Sequence, residues 1–198
     1  MLEGIDISNN QGHVDIAAVA GAGKRFAFIK ATEGNFFHDG YFATNWQALA
    51  DNQLWRGAYH FARPGHAGTG ADEANYFCDM VLWEPQLQGD MYVLDLEVNP
   101  GDPDLGAYTT DWCQTVESRT GVKPLIYSTV YMLKGWQVDP GPYPLWLASW
   151  GAQWPTWNGT PSPFWQYADN GHCPGVSGNC DLDRFIGTEE ELFAYGVP

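Results

Sequence analysis

Alternation is what most constrains this chain. Short apolar runs of strand character take turns with stretches whose apolar residues recur at helical spacing. GIDIS (Gly4–Ser8) reads as a first strand, and VDIAAVAGAG, roughly Val14 to Gly23, as a small-residue helix. FAFIKAT (Phe26–Thr32) is a second strand, followed by a helix over Asp39 to Asp51. RGAYHF (Arg56–Phe61) is a third, followed by a helix over Ala71 to Trp83 whose first turn carries acids, as the helix dipole favours. MYVLDLEVN (Met91–Asn99) is a fourth, before a helix over Asp104 to Thr120 that Gly121 ends. PLIYS (Pro124–Ser128) is a fifth, and after it the helices fade. PLWLASW, PFWQYAD and CDLDRFIG are then strands joined by loops full of Pro, Gly, Asn and Trp. TEEELFAYG closes the chain as a short helix, with Thr188 and Glu191 at capping-box spacing. Five strand–helix units imply a parallel sheet, whose buried strands read as near-continuous apolar runs. Three further strands close it. The expected fold is α/β: an irregular TIM-like β/α barrel of five β/α units plus three further β-strands. No linker, repeat or low-complexity tail interrupts it, so residues 1–198 are expected to form a single domain.

Composition narrows the partners. A formal net charge of −15 argues against nucleic acid, whose phosphates would be repelled, and against anionic membrane surfaces. No apolar run is long enough to span a bilayer. Ten Trp, ten Tyr and ten Phe supply faces that stack on sugar rings, although many must fill the core. The histidines and cysteines lack metal-ligand spacing, so no metal or cofactor is expected. Cys78 and Cys113 read as buried small apolar residues. Cys173 and Cys180 flank PGVSGN; they are either a reduced pair or close enough to bridge, and a bridge is the expectation.

The fourth strand carries the chemistry. Side chains alternate along a strand, so Met91, Val93, Asp95 and Glu97 share one face. Two carboxyls at i and i+2 lie roughly 6–7 Å apart, close enough to push their pKa values apart and let one hold a proton. Acid catalysis on a glycosidic bond needs that equipment. Two acids at an exposed strand end, or half of a metal site, are the plainer readings. The active sites of such barrels lie at strand C-terminal ends. Polar and aromatic residues gather there: Asp6 on the first strand, Lys30 on the second, Tyr59 on the third, Tyr127 on the fifth, Trp146 on the sixth, Gln166 and Tyr167 on the seventh, Asp181 and Asp183 on the eighth. His60, next to Tyr59, points to the opposite face and reads as a hydrogen-bonded core histidine.

Taken together, these stretches resemble the glycoside hydrolase family 25 lysozymes, the Chalaropsis-type muramidases. GIDISNNQG resembles the family's opening strand, FIKATEG its second and GAYHFARP its third. DLEVN carries its D-x-E pair, LWLASW and FWQYAD resemble its sixth and seventh strands, and CDLDRFIG its closing D-L-N-x-F strand. The resemblance covers essentially the whole chain in the right order. It implies hydrolysis of the β-1,4 bond between N-acetylmuramic acid and N-acetylglucosamine in bacterial peptidoglycan. Glu97 would be the general acid, Asp95 its partner, and Asp6 and Asp181 the outer acids. Tyr59 and Gln166 would contact substrate, with Tyr127, Trp146 and Tyr167 as further substrate-binding candidates. Asp183 stands where the family usually has Asn, which is expected to add a charge to the rim.

Asp95 and Glu97 leave one strand face and approach the sugar from one direction. That suits a substrate-assisted route with net retention, in which the 2-acetamido oxygen attacks the anomeric carbon. A non-catalytic cell-wall glycan-binding barrel and a chitinase are the competing classes. A chain that begins with Met and shows no export segment points to a phage lysin made in the host cytoplasm, working as a monomer; a secreted enzyme shown without its leader is the alternative.

Overall fold

The computed structural model describes residues 1–66, 68–101, 104–151 and 153–198. Five strands each lead into a helix: β1 (Leu2–Ile7) into α1 (Ile16–Gly21), and β2 (Phe26–Glu33), through the short β3 (Phe37–His38), into α2 (Phe42–Asp51). Next come β4 (Trp55–Phe61) and α3 (Gly70–Val81), β5 (Met91–Asp95) and α4 (Leu105–Thr120), and β6 (Leu125–Ser128) and α5 (Val130–Gly135). The remainder is β7 (Leu145–Ala148), a small hairpin of β8 (Thr156–Trp157) and β9 (Thr160–Pro161), β10 (Phe164–Gly171), β11 (Cys180–Phe185) and α6 (Glu189–Phe193). Local chemistry fixes the helix ends. Thr69 and Asp72 form a capping box on α3, Asp104 caps α4, and Gly121, at φ 74°, stops α4 in the left-handed region. Thr188 and Glu191 form the capping box expected on α6.

One sheet runs β1-β11-β10-β7-β6-β5-β4-β2-β3, and β1 also pairs with β2, so eight strands close into a barrel with β3 as an arm on β2. The barrel expected from the alternation is therefore present. Its fifth helix, α5, follows β6 where the sequence shows no helical spacing. VYMLKG is only six residues long and buries Leu133 alone, so it has no apolar stripe to read. A second correction concerns direction. The eighth barrel strand, β11, runs antiparallel to both β1 and β10, because a short loop rather than a helical crossover leads into it. Its first residues, not its last, therefore lie at the rim formed by the C-terminal ends of the parallel strands.

Strand alternation makes two cores. Met91, Val93, Phe26, Phe28, Leu125, Trp146, Phe164 and Phe185 fill the barrel interior, and Leu192 of α6 closes its lower end. Tyr92, Leu94, Ile5, Ile29 and Ile126 point outward against the helices. Gly57 makes room inside: a Cβ there would meet the Phe28 ring at 2.3 Å. Cys78 and Cys113 are buried as expected. Contrary to expectation, no bridge joins Cys173 and Cys180; both are buried free thiols packed in the outer core as small apolar groups. No helix among the described residues is long and apolar enough to cross a membrane.

Candidate active site

The ladder of β5 ends at Asp95, and the chain continues in register: Leu96 N–H donates to Tyr127 O at 2.9 Å, and Ser128 Oγ donates to Leu96 O at 2.8 Å. Leu96 packs outward, so Asp95 and Glu97 both turn to the barrel mouth. Their carboxyls are close enough for each to act on the other's charge. Burial raises the Asp95 pKa well above the usual carboxylate range; the neighbouring Glu97 charge raises it further, and Lys30 draws it back. Burial also raises Glu97, while the hydrogen bond with Asp95 lowers it. Two carboxyls in that arrangement keep one proton between them, because ionising both would place like charges in contact.

A second group of acids faces this pair. Asp6 lies opposite Asp181 in the β1–β11 register. Gln166, on β10, bridges them: its Nε2 donates to Asp6 Oδ2 at 2.9 Å and to Asp181 Oδ2 at 3.3 Å. Tyr127 donates its hydroxyl to Gln166 Oε1 at 2.9 Å, which fixes the amide orientation. Burial raises the Asp6 pKa well above the ordinary value, and the charges of Asp183 and Asp181 add to it. Asp181 is pushed up to about 6, first by burial. Burial likewise keeps the Tyr59 and Tyr127 hydroxyls neutral, as donors.

A cleft of about 160 Å³ joins the two groups. Asp6, Tyr59, Asp95, Glu97, Tyr127, Trp146, Gln166 and Asp181, all anticipated, line it together with Lys30 and Ser8. It is small beside the ~300–1,000 Å³ of pockets that enclose a ligand, as suits a groove meeting one point of a polymer laid across the rim. A larger hollow of about 320 Å³ at the opposite end of the barrel has its main carboxylate, Asp90, engaged by Arg56 at 2.6 Å, and offers no comparable acid pair.

Three site residues depart from the sequence reading. Tyr167 is not in the cleft. It shares the outer face of β10 with Trp165 and packs under the Arg184 guanidinium at 4.1 Å, because neighbours of the inward-facing Gln166 must point outward. Asp183 adds no charge to the rim: it is fully buried one layer below, where Trp146 Nε1 donates to its Oδ1 at 2.9 Å. Trp150, missed at the end of LWLASW, is 63 % exposed and donates to Gln166 Oε1 at 3.3 Å. Asn10 and Phe61 also line the cleft without having been singled out. His60 is the core histidine expected. Its Nδ1 meets Thr32 Oγ1 at 2.8 Å and its Nε2 meets Glu73 Oε2 at 2.9 Å, outside the cleft.

Known proteins resemble this chain in sequence and fold. Residues 5–176 match the family described as glycosyl hydrolases family 25. The uncharacterized protein YegX of Escherichia coli O157:H7 is 38% identical, over 98% of this chain and 73% of its own length. Lysozyme M1 of Streptomyces globisporus is 36% identical, over 98% of this chain and 70% of its own length. Among solved structures, the bacterial lysozyme of Streptomyces coelicolor superposes with a TM-score of 0.84 at 33% identity, covering 98% of this chain and 96% of that one. An acid pair at the mouth of a β/α barrel, in a sequence this similar along its length, has one reading: the chain belongs to the glycosyl hydrolases of family 25.

Proposed function

We propose that this chain is a lysozyme that cleaves the β-1,4 bond between N-acetylmuramic acid and N-acetylglucosamine in bacterial peptidoglycan, with net retention and with help from the substrate's own acetamido group. The observation that carries the mechanism is that Asp95 and Glu97 leave one strand together and line one side of the cleft. Glu97, the more open of the two, gives the shared proton to the leaving oxygen. The pair is then left doubly negative beside a ring that is gaining positive charge. Asp95 faces the acetamido N–H as the acetamido oxygen closes on the anomeric carbon. Water then opens the intermediate on the same face, with Glu97 taking its proton. The pair's charge is greatest when the sugar's positive charge is greatest, so the interaction favours the transition state over the ground state.

Asp6 and Asp181, tied by Gln166 and Tyr127, hold the far side of the glycan in this reading, and Tyr59 and Trp146 shape the sugar's seat. The setting we infer is a phage lysin acting as a monomer on the wall. Peptidoglycan de-N-acetylated at muramic acid tests the mechanism. Cleavage is expected to fall by orders of magnitude, since the internal nucleophile is gone. Equal rates on both substrates would reassign Asp95 as a direct nucleophile or a base. Adsorption to walls without clearing their turbidity would favour a binding barrel.

A further inference from the structure

The β7 end of the rim holds an aromatic side chain that the chemistry above does not use. Inward positions alternate along β7: Trp146 and then Ala148 both face the barrel interior. Ser149 N–H donates to Gln166 O at 3.0 Å, which carries the pairing with β10 one residue past the strand. Trp150 is the next position in that inward series, at the mouth. It is 63 % exposed, yet its ring is held, because its Nε1 donates to Gln166 Oε1 at 3.3 Å. Its backbone is held as well. Trp165 Nε1 donates to Ser149 O at 2.7 Å, and Gly151 N–H donates to the same carbonyl at 2.9 Å. A single exposed apolar residue needs no explanation when it stands free on a surface. This one is fixed beside the cleft with its ring in water.

The Gln166 amide has nothing left to offer a sugar. Its oxygen accepts from Tyr127 and Trp150, and its nitrogen donates to Asp6 and Asp181, so both lone pairs and both protons are used inside the protein. What this edge of the network presents to a glycan is the Trp150 ring. We propose that Trp150 is a sugar-stacking platform that holds the N-acetylglucosamine ring next to the muramic acid whose bond is cut. The proposal rests on the reading of the cleft as a lysozyme site. At about 160 Å³ the cleft meets one point of the polymer, so the rings flanking that point lie on the rim. The polymer alternates, so the ring on either side of the reacting muramic acid is N-acetylglucosamine. Its ring substituents are equatorial, which leaves faces of axial C–H groups that suit the negative face of an indole. It also carries no lactyl peptide to lift it off a flat surface. The bond to Gln166 fixes the platform before the sugar arrives, so little side-chain freedom is lost on binding.

Two measurements test the idea. The first is kcat and KM on soluble, uncross-linked peptidoglycan chains. Trp150→Ala is expected to raise KM about five- to tenfold with kcat within about twofold, the size of one lost aromatic contact. Trp150→Phe keeps a ring face and loses the N–H, and its KM is expected to stay within about threefold of the parent's. Trp83, 87 % exposed beyond the C-terminal end of α3 and so at the opposite end of the barrel, is the control: Trp83→Ala is expected to leave both constants unchanged. The second measurement is tryptophan emission of the parent titrated with tri-N-acetylchitotriose. A blue shift is expected as the exposed indole is covered, and Trp150→Phe is expected to lose it. A parental KM in Trp150→Ala, or no shift in the parent, overturns the proposal. So does a Trp150→Phe that loses as much as Trp150→Ala, because the indole would then act through Gln166 and not through its face. The emission arm needs no turnover and its parent titration no variant. Failure of these tests in a parent that lyses walls sinks this inference alone, whereas absence of wall lysis by the parent sinks the lysozyme reading.

Discussion

Two groups of carboxyls face each other across the cleft, and they are built differently. Asp95 and Glu97 come from one strand of the parallel wall, two residues apart, with Glu97 beyond the last ladder residue and partly open to solvent. Asp6, Asp181 and Asp183 come from two strands, β1 and the antiparallel β11, and Gln166 and Trp146 tie them down. One buried oxygen of Asp95 and one of Asp183 lack a partner among the described residues, so what separates the groups is the set of neutral donors on Asp6, Asp181 and the other oxygen of Asp183. The second is held by neutral donors that keep its carboxyls in place. On the proposed mechanism, the pair that changes charge is the loosely bonded one, and the group that holds position is the one built into a network.

Breaking the first group should cost most. Glu97→Gln keeps the shape and removes the transferable proton, and turnover of peptidoglycan is expected to fall ~10²–10⁴-fold with an unchanged melting temperature. A folded variant of near-parental rate would take Glu97 out of the acid role. Asp95→Asn is expected to lower kcat by ~10²–10³-fold with little change in KM, because the charge it answers exists only near the transition state. A rise in KM at constant kcat would instead make Asp95 a ground-state binding group.

The second group should respond more gently and in a different parameter. Gln166→Leu removes the bridge between Tyr127 and both acids, leaving Asp6 without its amide donor. Stability is expected to drop by ~1–3 kcal/mol, as for one buried group left unsatisfied. KM is expected to rise more than kcat falls. Equal loss of kcat with no loss of stability would place Gln166 with the proton-transferring pair.

The smallest effect is a pH dependence of stability. Asp6, Asp95 and Asp183 have folded pKa values raised above their unfolded ones, chiefly by burial. The folded chain therefore binds more protons than the unfolded one above pH ~4, and stability falls as pH rises toward those folded values. His60 acts with the opposite sign: burial lowers its pKa, so it disfavours folding only below its ordinary value of 6.5. Burial also raises the thiols of Cys78, Cys113, Cys173 and Cys180, which would add to a fall in alkaline solution, so melts are compared at pH 6.5 and 7.5, and the melting temperature is expected to be lower at pH 7.5. A higher value there would mean that these carboxyls are ionised throughout.

The parallel wall was the legible part of the sequence. Its strands are continuous apolar runs, and alternation alone put Asp95, Glu97 and Tyr59 at the mouth and His60 behind it. The seam was harder to read. Nothing in CDLDRFIG states its direction, so the sequence alone leaves Asp183 at the rim, whereas the reversed strand puts it below. Tyr167 lies outside for a simpler reason, since it follows Gln166 directly and cannot share its face. The α5 helix escaped because a six-residue helix on a barrel needs only one buried side chain, Leu133. Trp150 needed the three-dimensional approach of β7 to Gln166 before its indole had a partner.

The most direct test of the account is the identity of the reducing ends released from purified peptidoglycan by the parent and by Glu97→Gln. Borohydride reduction followed by sugar analysis should yield muramicitol from the parent digest and almost none from the variant. Glucosaminitol as the main product, or muramicitol released equally by both proteins, would contradict it.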